Sequence, residues 1–111
     1  MNYPHSRYPS TEDTTETVLI SGHYDSRGSF GSTRAPGGND DGSGTTGLLS
    51  IARTIKRLGV TFRSNVELVA FAGEEQGLFG SRYYAGACAR SRACFVTVIP
   101  PQGICMRKRR T

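Results

Sequence analysis

The sequence of 111 residues predicts an α/β protein, a fragment of a mixed, mainly parallel sheet flanked by helices. Three observations predict this class: two apolar runs typical of buried strands, an amphipathic segment between them, and a second helical segment after the later run. Strand and helix alternate along the chain in the order that a parallel sheet requires. Because only two strands are strongly indicated, we expect part of such a sheet rather than a complete one.

The first strand and the first helix are marked by local signals. Residues 17–21 form a β-branched and apolar run that predicts a buried strand. A loop rich in Gly and Ser follows over residues 22–38, with a proline–glycine turn signal near its end. Ser43 or Thr45 can cap a helix that Gly59 ends. The apolar residues of this helix recur at steps of three or four: Leu48, Leu49, Ala52, Ile55 and Leu58.

The sequence signals for the later elements differ in strength. Residues 66–72 form a long, mostly apolar run and predict the second strand. A second helix is expected after Glu75, and residues 94–99 could add a third strand. The apolar and aromatic residues of the second helix would be Leu78, Phe79, Tyr83 and Tyr84. Residues 1–16 are polar and contain two prolines, so they indicate a loose leader.

Charge and cysteine are distributed unevenly along the chain. Residues 1–86 hold eight Lys and Arg against nine Asp and Glu, whereas residues 87–111 hold six Lys and Arg and no acid. All three cysteines also lie in this last part, and their odd number does not indicate a complete disulfide framework. We therefore divide the chain into a polar leader (1–16), a first part of a folded domain (17–86) and a basic, cysteine-containing tail (87–111).

The composition argues against a membrane span, a signal peptide and a nucleic-acid partner. No run of eighteen apolar residues is present, so no membrane span is expected. The first ten residues are polar, and the sequence as written indicates no signal peptide. Residues 107–110 are a basic run that could mark a nucleic-acid patch. No aromatic residues flank it, and such runs are more often solvated tails, so we expect no nucleic-acid partner.

Three polar clusters border the predicted strands. They are His23-Tyr24-Asp25, the segment NDDGSG over residues 39–44, and the segment AGEEQG over residues 72–77. In parallel sheets the active site lies beyond the carboxyl ends of the strands, where such loops meet. Imidazole and carboxylate groups from separate loops are what a hydrolytic zinc site needs, because zinc takes nitrogen and oxygen ligands and activates a water.

The spacing within the clusters predicts distinct roles. His23 and Asp25 face the same side of an extended backbone, and a carboxylate beside a ligating imidazole orients it. Glu74 and Glu75 point in different directions, so one could bind metal while the other takes a proton. Each cluster also has an ordinary interpretation, such as a turn at Asp40 or acids at a helix start. Their joint occurrence in this order favours the zinc site.

Three segments strongly resemble the co-catalytic di-zinc aminopeptidases. The segments are VLISGHYDS, APGGNDDGSG and VAFAGEEQGLFGS, and the resemblance covers about residues 16–86. That family includes bacterial leucyl aminopeptidases, yeast vacuolar aminopeptidase Y and secreted fungal peptide hydrolases. The resemblance implies a zinc-exopeptidase-like fold, a phosphorylase/hydrolase-like sandwich, with residues 17–86 as the N-terminal part of the catalytic domain. It also implies an extracellular or vacuolar metallopeptidase that releases N-terminal residues from peptides or proteins.

The resemblance assigns a role to each matching residue. His23 would ligate one zinc ion, Asp40 would bridge two, and Glu75 would ligate the other. Glu74 would be the general base, and Asp25 would steer His23. The remaining two ligands of the family, an aspartate and a histidine, follow the double glutamate. Here no Asp, Glu or His follows Glu75, so the resemblance implies a truncated form with doubtful occupancy of two zinc ions.

Two further expectations concern the ends of the chain, and alternatives stay open. His5, the second histidine, lies in the predicted leader and is not expected to replace a ligand. Residues 87–111 lie outside the resemblance, and an altered exon, frame or gene model would explain them. The alternative functions are a glutaminyl-cyclase-like acyltransferase and a non-catalytic fragment or binding module of the same fold. The sequence indicates neither the oligomeric state nor the preferred N-terminal residue.

Overall fold

The computed structural model describes residues 4–91 and 94–97, which form a four-stranded sheet and two helices. In the sheet, the second strand in the chain is parallel to both the third and the fourth, and the first is antiparallel to the third. This arrangement confirms the predicted α/β class with a mixed, mainly parallel sheet. The strands are β1 (His5–Tyr8), β2 (Glu16–His23), β3 (Asn65–Phe71) and β4 (Cys94–Thr97), in the spatial order β1-β3-β2-β4, and the helices are α1 (Ser43–Leu58) and α2 (Phe79–Ser91).

The two central strands end together. Strand β2 pairs with β3 from Thr17 opposite Asn65 to His23 opposite Phe71. Both are apolar runs rich in β-branched residues, as expected for strands covered on both faces. Because their carboxyl ends are level, the loops that follow β2 and β3 start at the same edge of the sheet.

The prediction of a loose leader over residues 1–16 is wrong for residues 5–8. His5–Tyr8 form an edge strand that pairs with β3, and the N–H of Ala70 donates to the carbonyl of Pro4 at 3.1 Å. The Tyr8 ring packs edge-on against Phe62 with 6.5 Å between centroids. An edge strand needs backbone pairing but few apolar residues. The polar sequence of residues 5–8 therefore did not indicate a strand.

Helix α1 ends as predicted, but it begins at Ser43 after Gly42, so neither Ser43 nor Thr45 caps it as expected, and its contact face is narrower than the apolar repeat. Gly59 ends it in the left-handed conformation (φ 61°), as the sequence indicates. Leu48 and Ile55 are buried, whereas Leu49 and Leu58 are 58% and 63% exposed. Within the described residues, therefore, only part of the apolar repeat of α1 is buried against the sheet.

The two faces of the sheet have different cores. On one face, α1 contributes Leu48 to a cluster with Val66 and Leu68. On the other face the buried residues are Leu19, Val69, Phe71 and Tyr84, with Cys88 packed against them. Alternate residues of β3 supply the two clusters, as the period of a strand requires.

Helix α2 starts later than the sequence predicts, and the third strand is described only in part. Instead of entering the helix after Glu75, the chain makes a turn in which Leu78 has φ 62°, and the helix begins at Phe79. Strand β4 agrees with the start of the strand predicted over residues 94–99, while residues 98 and 99 lie outside the described part. None of the helices in the described ranges is long and apolar enough to cross a bilayer.

Candidate active site

Side chains from three segments meet at the carboxyl edge of the sheet. His23, the last residue of β2, is 9% exposed. Its Nε2 lies 3.1 Å from Oδ1 of Asp40, in the turn before α1, and 3.7 Å from Oε2 of Glu74, which follows β3. The structure thus brings together one residue from each of the three polar clusters.

The His23 ring has an oxygen atom at each nitrogen. Nδ1 lies 3.0 Å from the carbonyl oxygen of Asp25, so it carries the proton of that hydrogen bond. Nε2 faces the carboxylate of Asp40. Burial alone lowers the pKa of His23, but the hydrogen bonds with the Asp25 carbonyl and the Asp40 side chain and the charges of Glu74 and Asp41 outweigh it and raise the pKa above its ordinary value. The ring orientation leaves Nε2 as the nitrogen that can bind a metal.

Asp25 contacts His23 through a different atom from the one predicted. The backbone carbonyl of Asp25 holds the ring, while its Oδ1 lies 3.7 Å from Nδ1. The carboxylate accepts the N–H of Glu74 at 3.2 Å and the N–H of Glu75 at 3.1 Å. Its main contact is therefore with the backbone of the two glutamates, which it holds against the end of β2.

Asp40 lies in a five-residue turn, Gly38–Gly42, that begins after Gly37 in the left-handed conformation (φ 49°). The N–H of Gly42 closes the turn by donating to the carbonyl of Gly37 at 2.8 Å. The Asp40–Asp41 peptide bond is cis. The Asp40 side chain is 58% exposed, so the His23–Asp40 pair is open to solvent on one side.

Two residues near the site have contacts that the sequence did not predict, and the first is Asp41, which lies in the predicted cluster over residues 39–44. Its carboxylate accepts the N–H of His23 at 3.1 Å and the N–H of Gly44 at 3.0 Å. The available signal was its place just before a helix start, where free N–H groups need acceptors.

Arg27 is the second, and it bears on the predicted ligand Glu75. The Nε of Arg27 lies 3.3 Å from Oε2 of Glu75, whose side chain is 12% exposed while that of Arg27 is 72% exposed. Glu75 is therefore paired with a cation, whereas Glu74 approaches His23. No local sequence signal joins Arg27 to Glu75.

The donor atoms suit zinc only in part. Ligands bound tetrahedrally at the usual zinc distances lie about 3.3 to 3.5 Å from one another. The separations of Nε2 of His23 from Asp40 (3.1 Å) and from Glu74 (3.7 Å) are close to this spacing. Within residues 4–91 and 94–97, however, no group of three or more His, Cys, Asp or Glu side chains is arranged to hold an ion. The chemistry fits, but these side chains do not form a complete ligand set.

Comparison with known proteins relates the site to a family. The chain is 40% identical over 84 residues to a probable zinc metalloprotease of Leptosphaeria maculans, which is 73% of this chain and 19% of that protein. It is 39% identical over 69 residues to aminopeptidase YwaD of Bacillus subtilis (62% of this chain, 14% of that protein). It is 37% identical over 73 residues to aminopeptidase Y of Saccharomyces cerevisiae (66% and 12%). The chain therefore spans about a fifth or less of the length of these curated relatives.

The family model for Peptidase family M28 matches residues 5–104. This range includes all the residues that meet at the carboxyl edge of the sheet, and it extends on both sides beyond residues 16–86. It covers most of the chain, and the chain belongs to Peptidase family M28.

Proposed function

We propose that this chain is the metal-binding part of a zinc-dependent aminopeptidase that hydrolyses the first residue from peptides or proteins. The observation that carries the proposal is the meeting of His23, Asp40 and Glu74 at one strand edge of a Peptidase family M28 chain. The names of the relatives, a zinc metalloprotease and two aminopeptidases, support the same reaction.

The proposed zinc site uses His23 Nε2 and Asp40 as its first ligands. A second ion would share Asp40 and take Glu75, which would then exchange its contact with Arg27 for the metal. Further ligands, such as water, are needed for both ions because the described side chains do not complete either set. When bound, zinc supplies a water of lowered pKa and polarises the carbonyl of the substrate.

Glu74 is the proposed general base. Its carboxylate lies 3.7 Å from His23 Nε2 and is 30% exposed, so it borders the metal position while remaining open to water. It would take a proton from the attacking water and pass it to the leaving amine. Asp25 holds the backbone N–H of Glu74, and this keeps the base beside the ring.

The substrate and the compartment follow from the same proposal. Two of the relatives are aminopeptidases by name, and an aminopeptidase takes the N-terminus of a chain as its substrate. Peptide or protein N-termini are therefore the proposed substrates. The resemblance to secreted and vacuolar aminopeptidases favours an extracellular or vacuolar compartment.

A non-catalytic member of the same family is the second candidate. It is favoured by the ion pair between Glu75 and Arg27, which occupies a predicted ligand, and by the incomplete ligand group among the described side chains. In that case the fold would bind a partner without turnover.

Zinc content and peptide hydrolysis test these proposals together. The chain, dialysed against micromolar zinc, is analysed for bound metal and then incubated with a peptide that begins with Leu and with one that begins with Gln. Bound zinc and release of free Leu support an aminopeptidase, whereas ring closure of the N-terminal Gln would indicate the acyltransferase.

Matched variants assign the roles of the residues. Glu74→Gln should retain zinc and lose at least about 100-fold of the hydrolysis rate, because the general base is removed. His23→Ala should lose zinc as well. Wild-type chain that takes up no zinc and releases no amino acid would overturn the proposal in favour of the non-catalytic member.

A further inference from the structure

We propose that Asp41 is a positioning residue, whose carboxylate fixes Asp40 against His23 by holding backbone N–H groups of the two segments that flank the site. The inference rests on the proposed function in one respect, namely that the His23–Asp40 pair binds zinc. The contacts themselves are independent of that function.

The two oxygens of Asp41 bridge the strand and the helix. Oδ2 accepts the N–H of His23 at 3.1 Å, and Oδ1 accepts the N–H of Gly44 at 3.0 Å. The hydroxyl of Thr45 donates to the carbonyl of His23 at 2.7 Å and joins the same two elements. Because Asp41 is the neighbour of Asp40, holding it against the His23 backbone also sets the position of the Asp40 carboxylate beside the ring.

Two glycines leave the space that the carboxylate fills. A Cβ at Gly22 would lie 2.7 Å from Oδ2 of Asp41, and a Cβ at Gly44 would overlap both of its oxygens. Neither glycine has a positive φ, so glycine is needed at these two positions for the space it leaves and not for its backbone conformation. Gly47, in the same helix as Gly44, has nothing within 4 Å of such a Cβ.

The alternative is that Asp41 only stabilises the start of α1. A carboxylate near a helix N-terminus complements the helix dipole and lowers the free energy of the fold without affecting a metal site. The contact with His23 distinguishes the two roles, because it ties the carboxylate to the residue that carries the proposed ligand. Partners that orient a metal ligand change metal affinity about 10- to 100-fold when removed.

The test is a double-mutant cycle on the whole chain, with zinc affinity measured by competition with a chromophoric chelator. Asp41→Ala and Gly44→Ala should each weaken zinc binding about 10- to 100-fold. The double variant should bind zinc no more weakly than Asp41→Ala alone, because the new methyl group no longer meets a carboxylate. Asp41→Asn should fall between wild type and Asp41→Ala, since its amide oxygen can accept only one of the two N–H groups.

Gly47→Ala and the exposed Asp13→Asn are the controls, and both should bind zinc as wild type does. Equal zinc affinity in Asp41→Ala and wild type would overturn the proposal, and so would strictly additive losses in the double variant. A lower free energy of unfolding with unchanged zinc affinity would assign Asp41 to the helix start alone, which also overturns it.

A metal-free measurement separates this proposal from the proposed function. If wild type and both controls bind no zinc, the aminopeptidase proposal fails, and Asp41 is then judged by the ¹⁵N resonances of the His23 side chain. Asp41→Ala should shift the Nε2 resonance, because Asp40 leaves its position 3.1 Å away, while Gly47→Ala should not. An unchanged resonance in Asp41→Ala would overturn the positioning role.

Discussion

The segment after β3 and the loop after β2 both carry side chains of the site, but they are held in different ways. The segment after β3 is short and is closed by its own backbone. The N–H groups of Gly77 and Leu78 both donate to the carbonyl of Glu74 at 2.9 Å, and the N–H of Phe79 donates to the carbonyl of Gly73 at 2.9 Å. All of these hydrogen bonds join residues within the segment itself.

The loop after β2 is longer and depends more on side chains. Ser26 Oγ donates to the carbonyl of Ala35 at 3.0 Å across the loop, and Asp41 ties the end of the loop to His23. Asp25 belongs to this loop, yet its carboxylate holds the N–H groups of Glu74 and Glu75 in the other one. The short segment therefore has its own shape, but its place beside His23 depends on the long loop.

The largest effect is expected when the link between the two loops is cut. Asp25→Ala removes the acceptor of two backbone N–H groups, each bonded to a charged carboxylate. We expect the free energy of unfolding to fall by about 3 kcal/mol, measured by urea denaturation. Asp13→Ala, at an exposed carboxylate, is the control. A loss of less than about 1 kcal/mol would mean that the short segment keeps its place without Asp25.

A second, smaller effect is expected from crowding the Asp41 carboxylate at the strand. Gly22→Ala places a methyl group 2.7 Å from Oδ2 of Asp41. Such overpacking costs about 2 kcal/mol of unfolding free energy. Gly47→Ala meets no atom within 4 Å and should be neutral or stabilising, because Ala favours a helix over Gly. Equal stability of the two variants in thermal denaturation would show that the carboxylate can move aside.

The hydroxyl of Thr45 provides a finer test of the long loop. Thr45→Val removes the donor to the carbonyl of His23 and should cost about 1 kcal/mol. Thr46→Val is the matched change one residue later, where the exposed hydroxyl bonds the carbonyl of Gly42. It should cost less, because water can replace an exposed bond. If Thr46→Val costs more than Thr45→Val in chemical denaturation, the bond to Gly42 stabilises the loop more than the bond to His23 does.

The smallest effect on stability is expected from the ion pair beside the short segment. Arg27→Gln breaks the contact with Glu75, and because the Arg27 side chain is 72% exposed the loss should be less than about 1 kcal/mol. Zinc affinity should rise, since Glu75 no longer has a competing cation. Unchanged or weaker zinc binding, measured by chelator competition, would indicate that Glu75 is not a ligand.

Much of the fold could be predicted from local patterns. The apolar runs marked β2 and β3, and the helix between them ends at Gly59 because a glycine there adopts φ 61° without strain. The edge strand β1 could not be predicted in this way. Its four residues are mostly polar and become a strand only by pairing with β3.

The candidate site likewise has residues that the sequence predicts and contacts that it does not. His23, Asp40 and Glu74 stand out because their three clusters occur together and in order, and the structure brings their side chains together. The contacts of Asp41 with His23 and of Arg27 with Glu75 could not be predicted, because each joins residues far apart in the sequence. The atoms of Asp25 that contact the ring could not be predicted either, since they depend on where Glu74 and Glu75 come to lie.

The sequence by itself determined the order of β2, α1, β3 and α2, the family, and the three polar clusters, because these follow from periodicity and from residue types at fixed spacing. Only the tertiary structure decided which oxygen meets which nitrogen: that the carbonyl of Asp25 holds His23, and that Asp41 bridges His23 and Gly44. The physical reason is that hydrogen bonds are short and directional. A partner is chosen by tenths of an ångström, and that precision arises only when the level ends of β2 and β3 bring separate loops together.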